Sequence, residues 1–584
     1  MKKTKIVCTL GPATADNAVL KNLFLSGLDV ARINFSHGTH QEHQVTIDNF
    51  KKVRTETGLP VPLMLDTKGP EIRVKTFENG SVDLVTGQSF TFTTRDIVGS
   101  DQEVAITYKH LPTVVKSGDA ILIDDGLIEC RVKGTTATDI ACEVLNGGTV
   151  KNRKSINLPG ISVGMPYISQ SDIDDICFGI ENEFDFIAAS FTRGAEDITK
   201  LKKVLHDHGG KEIKIIAKIE NQEGVNNIDN ILRVSDGIMV ARGDMGVEVP
   251  LEDLPAIQKM LIKKCYRAGK MAITATQMLE SMIHNPRPTR AEITDIANAI
   301  YDGTSAIMLS GETAIGSYPE LAVQTMAKIA LRTENTINYV KRFVNAEPPL
   351  SPNVTDAISH ATCTTAHDLG AAAILTVTKT GTTARMISKF RPLCPIIAAT
   401  PSERTCRQMN LSWGVLPFLC QEKTTTDELF DVAEQISIDS GVVHNGDLVV
   451  ITAGVPVGVS GYTNILKVQL IGNVLVQGNG MNDLVSYGNL CVAKDSRHAQ
   501  KTFKDGDILV MKNTCNEVLD LLGHASGLVI EEEGQNSHGA IAGMALHIPV
   551  IIGAKHATTV LKSGTTVTID SKQGFIYNGI VESE

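Results

Sequence analysis

The sequence predicts an α/β protein built on a closed (β/α)8 barrel, with an inserted β-barrel lid domain, a C-terminal open α/β domain and an extra small swivelling-type domain. Three observations lead to this fold class. Eight short apolar runs alternate with helical stretches over the first 335 residues. About a hundred residues inside that series have alternating apolar residues and frequent glycine. A proline-rich break near residue 350 is followed by further strands and helices.

The barrel is predicted from the eight apolar runs. Continuous apolar runs that alternate with helices are typical of parallel strands covered on both faces, and eight such units predict a closed barrel. The runs cover 5–11, 29–36, 61–69, 185–191, 215–221, 236–244, 271–277 and 306–312. We therefore assign 1–69 and 167–345 to a catalytic barrel domain.

The remaining domains are predicted where the alternation of apolar runs and helical stretches is interrupted. Residues 70–166 alternate apolar and polar residues, which predicts antiparallel strands and a lid inserted after the third barrel strand. The proline-rich stretch 346–353 is predicted to be a linker, and 346–475 an α/β domain. A second linker is expected at 476–483, before a small domain at 484–584.

Composition limits the classes of function. The net charge is −11 and there is no long basic block, so a nucleic-acid partner is not expected. We expect a cytoplasmic protein, because no apolar run reaches the length of a signal peptide core or of the ~20 residues that span a membrane. The eleven cysteines are scattered without a C-x-x-C pair, which predicts reduced thiols rather than disulfides or a zinc site. His37, His40 and His43 are three residues apart, but no Cys or carboxylate cluster completes a zinc site around them.

Polar side chains collect where the barrel strands end. Barrel enzymes keep their chemistry at the carboxyl ends of the strands, and burying this many charges without partners would be costly. Lys218 and Glu220 are two residues apart on one strand, so their side chains should point the same way. The other members of the set are Arg32, Asn34, Ser36, Asp66, Thr67, Lys68, Glu71, Arg73, Arg242, Asp244, Thr276, Ser310 and Glu312.

Two of these carboxylates predict a site for a hard cation. Mg²⁺ prefers oxygen ligands, and one or two carboxylates usually leave positions for substrate and water. Glu220 and Asp244 come from adjacent predicted strands and suit this role. Lys218 would then place positive charge beside the bound group, for which a phosphate is expected. Glycines flank Asp244 in "ARGDMG", so backbone amides could approach an anion closely.

Eight segments of the chain, taken in order, resemble the signature segments of the pyruvate kinase family. They are "VARINFSHGTHQEH", "LDTKGPEIR", "ASF", "KIENQEG", "MVARGDMG", "ITATQMLESM", "RAEITDIANAIYDGT" and "IMLSGETAIGSYP". The resemblance covers about residues 1–475, and the segment beyond is similar to the extra C-terminal domain of some bacterial members. It implies transfer of a phosphoryl group from phosphoenolpyruvate to ADP, giving pyruvate and ATP, by a homotetramer.

The resemblance also implies roles for the strand-end residues. Glu220 and Asp244 would hold Mg²⁺ or Mn²⁺, and Lys218 would contact the transferring phosphoryl group. Arg32 and Arg73 would balance phosphate charge. The backbone of Ala241, Arg242 and Gly243, together with Thr276, would meet the substrate carboxylate. Ser310 and Glu312 would organise water near Thr276, which lies beside the path of protonation.

Two further sites are implied around the second and third strands. Asn34, Ser36, Asp66 and the backbone of Thr67 resemble the K⁺ site of the family. Members of the family with Glu at the position of Glu71 depend on K⁺, whereas a Lys there can replace the ion, so the resemblance implies dependence on K⁺. The nucleotide site is expected to include Asn34, Phe35, Ser36, His37 and Arg73.

A loop in the α/β domain is the candidate effector site. Hydroxyls and a glycine at a helix N-terminus suit phosphate binding, although plain N-capping would explain the same residues. The loop comprises Thr378, Lys379, Thr380, Gly381, Thr382 and Thr383, and it resembles the loop that binds a phosphorylated effector in this family. Fructose 1,6-bisphosphate, AMP, ribose 5-phosphate and glucose 6-phosphate all remain candidates.

The segment 534–554 resembles the region around the phosphorylated histidine of the mobile domain in phosphoenolpyruvate-using enzymes. His538 takes the position of that histidine, but Asn536 and Gly539 differ from the Thr and Ala of the motif. The chain also lacks a second nucleotide-binding domain for the mobile domain to visit. We therefore expect a structural or assembly role for the C-terminal domain.

Two other functions remain open from the sequence. One is a Mg²⁺-dependent barrel lyase or phosphomutase that acts on an enolpyruvate substrate, which would need neither the lid nor an effector domain. The other is a non-catalytic regulatory or binding protein that keeps the fold. Because every catalytic position is filled, the sequence favours an enzyme.

Overall fold

The structure, a computed structural model, describes residues 1–345, 353–423, 425–454 and 463–581. These residues divide into two compact units. The first holds 1–345, 353–360, 376–423, 454 and 463–464, and the second holds 361–375, 425–453 and 465–581. The linker predicted at 346–353 lies, apart from Asn353, outside the described residues.

A closed barrel of eight parallel strands forms the body of the first unit, as the sequence predicted. Its first strand pairs with both its second and its eighth, so the ring has no open edge. The strands consist mostly of buried apolar residues, because helices cover them outside and side chains fill the interior. They are Lys5–Thr9, Val30–Asn34, Leu63–Asp66, Phe186–Ala189, Lys214–Ile219, Gly237–Ala241, Met271–Ala275 and Ala306–Leu309.

Helices follow the barrel strands and pack their apolar faces on them. Several begin with a capping box, in which a Ser or Thr and an acidic residue three positions later satisfy the free amides of the first turn. The helices are Asn17–Ser26, His40–Thr57, Gln170–Glu181, Ala195–Asp207, Gln222–Asn226, Ile228–Val234, Arg242–Glu248, Leu254–Arg267, Arg290–Asp302, Gly311–Ala314, Pro319–Glu334 and Tyr339–Val344. Short 3-10 turns lie at Pro12–Thr14, Leu251–Asp253 and Glu280–Ile283.

The insertion after the third barrel strand is a β domain with its own apolar core. Its strands form a seven-stranded sheet and a two-stranded sheet. The edge strands of the larger sheet meet at an antiparallel bridge between Val74 and Ile106, which brings the sheet round into a ring. The strands pair antiparallel except Ser89–Thr93 with Glu103–Ala105, and an isolated bridge between Phe77 and Gly99 is also parallel. The other strands are Ile72–Arg73, Ser81–Leu84, Ala120–Ile123, Ile128–Thr135, Asp139–Asn146, Gly148–Lys151 and Ser155–Asn157, with one helix at Leu111–Val114.

Strands and helices alternate again after residue 353, as expected for an α/β domain. Ile396–Thr400 and Val415–Leu419 pair in parallel, and Leu448–Ala453 and Ile465–Leu470 pair antiparallel. The remaining elements are the strand Ala373–Val377 and the helices Val354–Asp368, Thr382–Lys389, Glu403–Met409 and Thr426–Asp439.

An eight-stranded sheet organises the C-terminal domain, and here the predicted linker at 476–483 differs from the structure. Val474–Gln477 and Asn479–Gly480 are strands of this sheet, although "QGNG" has the composition of a turn. The other strands are Val485–Val492, Ile508–Met511, Gly527–Ile530, Val550–Ile552, Thr566–Asp570 and Phe575–Asn578. The helices are Ser496–Thr502, Leu519–Leu522, His538–Ala545 and Ala557–Val560, with a 3-10 turn at Asn516–Val518. None of the helices in the described ranges is long and apolar enough to cross a membrane.

Candidate active site

Lys218 and Glu220 lie side by side at the carboxyl end of the fifth barrel strand. Lys218 Nζ is 2.9 Å from Glu220 Oε1, which confirms that their two-residue spacing places both groups on one side. The same Nζ donates to Asp66 Oδ1 at 3.0 Å and to Ser190 Oγ at 2.8 Å. Lys218 therefore joins the ends of the third, fourth and fifth strands.

Asp66 extends this network to the second strand. Arg32 Nε donates to Asp66 Oδ2 at 2.6 Å, and Arg32 Nη1 donates to Thr9 Oγ1 at 2.9 Å. Ser190 Oγ lies 2.6 Å from the carbonyl oxygen of Thr67, to which it can donate. Two cations and two carboxylates are thus held in a site where each residue is less than a tenth exposed.

Burial and mutual charge set the protonation of this cluster. Burial lowers the pKa of Lys218, but Asp66, Glu220 and Asp244 outweigh it and hold that pKa above its usual value. Burial tends to raise the pKa of Asp66, yet Arg32 and Lys218 keep it below its usual range. Burial raises the pKa of Glu220 to about 7, with a further increase from Asp244. Glu220 and Asp244 therefore repel each other, and a cation would relieve this.

The sixth and seventh strands supply a second wall. Gly243 donates its amide to Thr276 Oγ1 at 2.8 Å. The guanidinium of Arg242 donates to the carbonyl oxygens of Ala275 and Thr276 and to Asp295. Ala241 is buried where its strand ends. Arg242 therefore fixes the backbone around Thr276, while the Thr276 hydroxyl contacts Gly243.

Glu312 is fully buried beyond the eighth strand. Its two carboxylate oxygens accept the amides of Leu279 at 3.0 Å and Ser310 at 2.7 Å. Glu312 thus ties the segment after the seventh strand to Ser310. Ser310 and Glu312 both lie at the end of the eighth strand, as predicted. The Glu312 carboxylate accepts hydrogen bonds from the neighbouring backbone amides.

Two strand-end residues have unusual backbone conformations. Phe191 has φ of 50° and Thr276 has φ of 69°, in the left-handed region that costs energy for residues other than glycine. The turn at Phe191 directs its amide to Glu220 Oε2, with which it forms a short hydrogen bond. Sequence reasoning missed Ser190 and the Phe191 amide. Only the position of "ASF" at the end of the fourth strand could have indicated them.

A cleft of about 310 Å³ lies between the lid and the barrel beside this cluster. Asp244 and Glu71 are among its lining residues. Glu71 forms a two-pronged ion pair with Arg73, at 2.7 Å to Nε and 3.0 Å to Nη2. Asn157 of the lid donates to Glu248 of the barrel at 3.0 Å. The lid therefore contacts the barrel directly, and Arg73 is tied to the cleft through Glu71.

The candidate residues for K⁺ and nucleotide are only partly free to bind. Ser36 donates its amide to Asn34 Oδ1 at 3.1 Å, and Asp66 already contacts two cations. The Phe35 ring is buried against Phe178 and Phe184, so only the backbone of Phe35 could face a ligand. His37 follows at the start of the exposed turn. The neighbouring His40 pairs with Asp175, and His43 packs on Phe35.

The donor set at Glu220 and Asp244 suits a hard cation. Among the described residues, no group of three or more His, Cys, Asp and Glu side chains forms a metal cluster. A protein site for Mg²⁺ commonly has one or two carboxylates and takes its other oxygens from substrate and water. Glu220 and Asp244 are largely buried carboxylates with raised pKa values, so they fit this pattern.

The candidate effector loop precedes the helix Thr382–Lys389. Gly381 has φ of 72°, and a Cβ there would lie 2.9 Å from Met409 Cγ, so only glycine fits. Arg385 donates to the Thr380 carbonyl and to Thr382 Oγ1, both at 3.1 Å, while Lys379 pairs with Glu422. Thr378 accepts the Gly381 amide through its hydroxyl. Thr383 is buried and bonds to Thr463 at 2.8 Å, so its side chain is not available.

His538 is the first residue of a helix in the C-terminal domain. Its Nδ1 lies 3.0 Å from Thr514 Oγ1, and its Nε2 lies 2.9 Å from Asn516 Oδ1. Both ring nitrogens therefore have protein partners. To accept a phosphoryl group, one of these nitrogens would first have to give up its hydrogen bond.

Comparison with protein families gives three matches along the chain. The family described as "Pyruvate kinase, barrel domain" matches residues 1–323, and the family described as "Pyruvate kinase, alpha/beta domain" matches residues 356–469. The description "PEP-utilising enzyme, mobile domain" matches 503–574.

Curated relatives match over nearly the whole length. A pyruvate kinase from Bacillus licheniformis is 47% identical over 581 residues, covering 99% of both chains. One from Geobacillus stearothermophilus is 47% identical over 580 residues with the same coverage. Among solved structures, a pyruvate kinase from Cryptosporidium parvum is similar with a TM-score of 0.76 and 39% identity, over 80% of this chain and 96% of that one.

Proposed function

The chain belongs to the pyruvate kinase family, and from this premise we propose how its residues carry out the reaction. The enzyme transfers the phosphoryl group of phosphoenolpyruvate to ADP and forms pyruvate and ATP. Phosphoryl transfer depends mainly on positioning the two substrates and on neutralising their negative charge, and particular residues of this chain supply each effect.

Lys218 is the residue that contacts the transferring phosphoryl group. This assignment rests on the position of Lys218 Nζ, which lies 3.0 Å from Asp66 Oδ1 and 2.9 Å from Glu220 Oε1. These carboxylates keep Lys218 charged in a buried site and fix its position before substrate binds. A preoriented cation at developing negative charge contributes about 3–4 kcal/mol to catalysis.

Glu220 and Asp244 are the ligands for a divalent cation, Mg²⁺ or Mn²⁺. The support is their burial, their mutual repulsion and their place beside the cleft. When bound, this ion would polarise the oxygens of the substrate and neutralise charge on them. Phe191 and Lys218 orient Glu220 through the two hydrogen bonds to its carboxylate.

The remaining strand-end residues bind and orient the substrate. Arg32 and Arg73 balance the charge of the phosphate groups, and the backbone of Ala241 to Gly243 with Thr276 meets the substrate carboxylate. Thr276 lies beside the path of the proton that converts the enolate to pyruvate. Glu312 positions Ser310 and the Leu279 backbone, which order water near that path.

K⁺, the nucleotide and the effector take the positions expected from the sequence. K⁺ is bound by Asn34, Ser36, Asp66 and Thr67, and the nucleotide by Asn34 to His37 with Arg73. A phosphorylated metabolite binds at Thr378 to Thr382, supported by the exposed Thr380 hydroxyl, which lies 3.0 Å from Thr382 Oγ1, and by the glycine that the loop requires. We place the enzyme in the cytoplasm as a homotetramer.

The test is a coupled assay that follows ATP formed from phosphoenolpyruvate and ADP, with and without K⁺. Turnover that needs ADP and K⁺ supports the proposed sites. A lyase or phosphomutase would consume an enolpyruvate substrate without ADP. That result would contradict the function itself.

A further inference from the structure

A second cleft lies in the first unit, between the barrel and the α/β segment. We call it the basic cleft and define it by Lys270, Arg385, Lys389, Arg391 and Ser412. No acidic side chain is among the described residues that line it. Its four cations therefore share a partly enclosed space.

Arg391 is the most deeply buried of these cations. Its Nη2 donates to the Gly303 carbonyl at 3.0 Å and to Ser305 Oγ at 3.1 Å, and its Nη1 donates to the Ser388 carbonyl at 3.2 Å. Its guanidinium also lies 4.8 Å from the centre of the Trp413 ring. All these partners are neutral, and in the described structure Arg391 Nε has none.

Ser412 supplies a second buried group without a partner. Its residue is 2% exposed, and within the described chain its hydroxyl makes no hydrogen bond. A buried hydroxyl or N–H without a partner typically costs about 1–3 kcal/mol. Two such groups at the same cleft are therefore a reason to expect a ligand that accepts hydrogen bonds.

The charges around the cleft also favour an anion. Burial lowers the pKa of Arg391 to about 9, with a further decrease from Arg342, and burial lowers the pKa values of Lys270 and Arg385. Lys389 is neutralised by Asp356 at 2.8 Å. The negative charge of Asp236 raises the pKa values of both Lys270 and Arg385, against the effect of burial. Arg391 has no carboxylate within 4 Å in the described part of the chain, so positive charge remains in excess.

We propose that the basic cleft binds an oxyanion of the phosphate class, either inorganic phosphate or the phosphate group of a small metabolite. The cleft has a volume of about 10 Å³, room for one group the size of a water molecule. One oxygen of the anion enters there, while the other oxygens meet the cations at the open mouth.

This site is separate from the proposed effector loop. The loop lies at the start of the helix Thr382–Lys389, and Lys389 is the last residue of that helix. Arg385 lines the basic cleft and also donates to Thr380 and Thr382 of the loop. An anion in the basic cleft would therefore act on the loop through Arg385.

The experiment measures the thermal midpoint of the full chain against the concentration of inorganic phosphate or, separately, of glucose 6-phosphate. Lys379→Glu is the parent, because reversing this charge suppresses binding at the loop. Lys379 pairs with Glu422, whereas Thr382 bonds to Arg385 of the cleft. Two variants of the parent, Lys270→Gln and Ser412→Ala, remove one cation and one hydroxyl from the cleft. Lys264→Gln is the matched control, since Lys264 bonds to Asp229 and does not line the cleft.

We expect both cleft variants to raise the half-maximal concentration of ligand about tenfold, as for loss of one hydrogen bond to a charged group. The control should match the parent. Without ligand, Ser412→Ala should melt no lower than the parent, because it removes an unpartnered hydroxyl. A response to inorganic phosphate identifies the free ion, and a response to the sugar phosphate alone identifies a metabolite. A parent that responds to neither ligand, or cleft variants that respond like the parent, would overturn the proposal and leave water in the cleft.

Discussion

At the scale of single residues, Lys218 links three strand ends through one ammonium group. Replacing it with Met should lower turnover by a factor on the order of 10²–10³, because the preoriented charge at the phosphoryl group is lost. Asp66 and Glu220 would then face each other without this cation, so stability should fall by up to about 3–5 kcal/mol. Turnover and the thermal midpoint should be measured together.

Lys214→Met provides the control for this prediction. Lys214 begins the same strand, is partly exposed and pairs with Asp236 at 3.6 Å. Its loss should leave turnover near that of the natural enzyme. Binding of Mn²⁺ to Lys218→Met should survive, because Glu220 and Asp244 remain. Near-normal ATP formation by a folded Lys218→Met enzyme would refute the role of Lys218.

Glu71 supplies no positive charge at the proposed K⁺ site, so we expect the enzyme to depend on K⁺. Glu71→Lys should weaken the requirement for K⁺, since it adds a fixed cation beside the proposed site. The rate should also fall, because the new Lys would repel Arg73 in place of their present ion pair. Turnover in K⁺ and in tetramethylammonium measures both effects. Glu78→Lys, at an exposed lid position, is the control, and an unchanged K⁺ requirement in Glu71→Lys would contradict the assignment.

Local spacing explains which site residues could be predicted from the sequence. Lys218 and Glu220 were predictable as a pair, because side chains alternate along a strand. Ser190 and the Phe191 amide were not, because they reach Glu220 and Lys218 through a left-handed turn and through contacts between strands. Glu71 and Arg73 are also two residues apart, so the same alternation could have predicted their ion pair.

At the scale of elements, the start of the helix Thr382–Lys389 carries the effector prediction. Thr382→Glu should abolish activation by a phosphorylated metabolite, because a carboxylate would repel the phosphate. Thr383 is unsuitable for the same change, since it is buried and bonds to Thr463. The measurement is the half-saturating concentration of phosphoenolpyruvate with and without effector, a coupling of about 1–3 kcal/mol in typical cases.

Thr426→Glu is the matched control, because Thr426 is also the first residue of a helix. It should leave activation unchanged. If Thr382→Glu responds to effector as fully as the control, the loop does not bind the effector.

Periodicity predicted the existence of elements better than their ends. All eight barrel strands were found where apolar runs stand, because parallel strands covered on both faces leave a strong apolar signal. The strands Val474–Gln477 and Asn479–Gly480 were missed, because Gly478, Asn479 and Gly480 are typical of turns. Pairing with Phe575–Asn578 and Val550–Ile552, which are distant in sequence, makes them strands.

At the scale of the whole molecule, the C-terminal domain resembles a phosphoryl carrier but holds its histidine between two partners. Incubation with ³²P-labelled phosphoenolpyruvate should leave no acid-labile label on the protein, because Thr514 and Asn516 engage both ring nitrogens of His538. His538→Ala should keep its turnover. Stoichiometric label that disappears in His538→Ala, together with lost turnover, would overturn this expectation.

The closed ring of the barrel has a consequence for how the chain is made. The strand Lys5–Thr9 is synthesised some three hundred residues before its partner Ala306–Leu309, so the two cannot pair until that partner has been made. The lid strands are all complete by residue 157, and they carry their own apolar core. Because domains usually fold as units during synthesis, the lid should reach its native form while the barrel around it is still an open, unfinished sheet. A nascent chain stalled after residue 200 should therefore already protect the lid from protease, and the barrel should gain protection only after residue 309 has emerged.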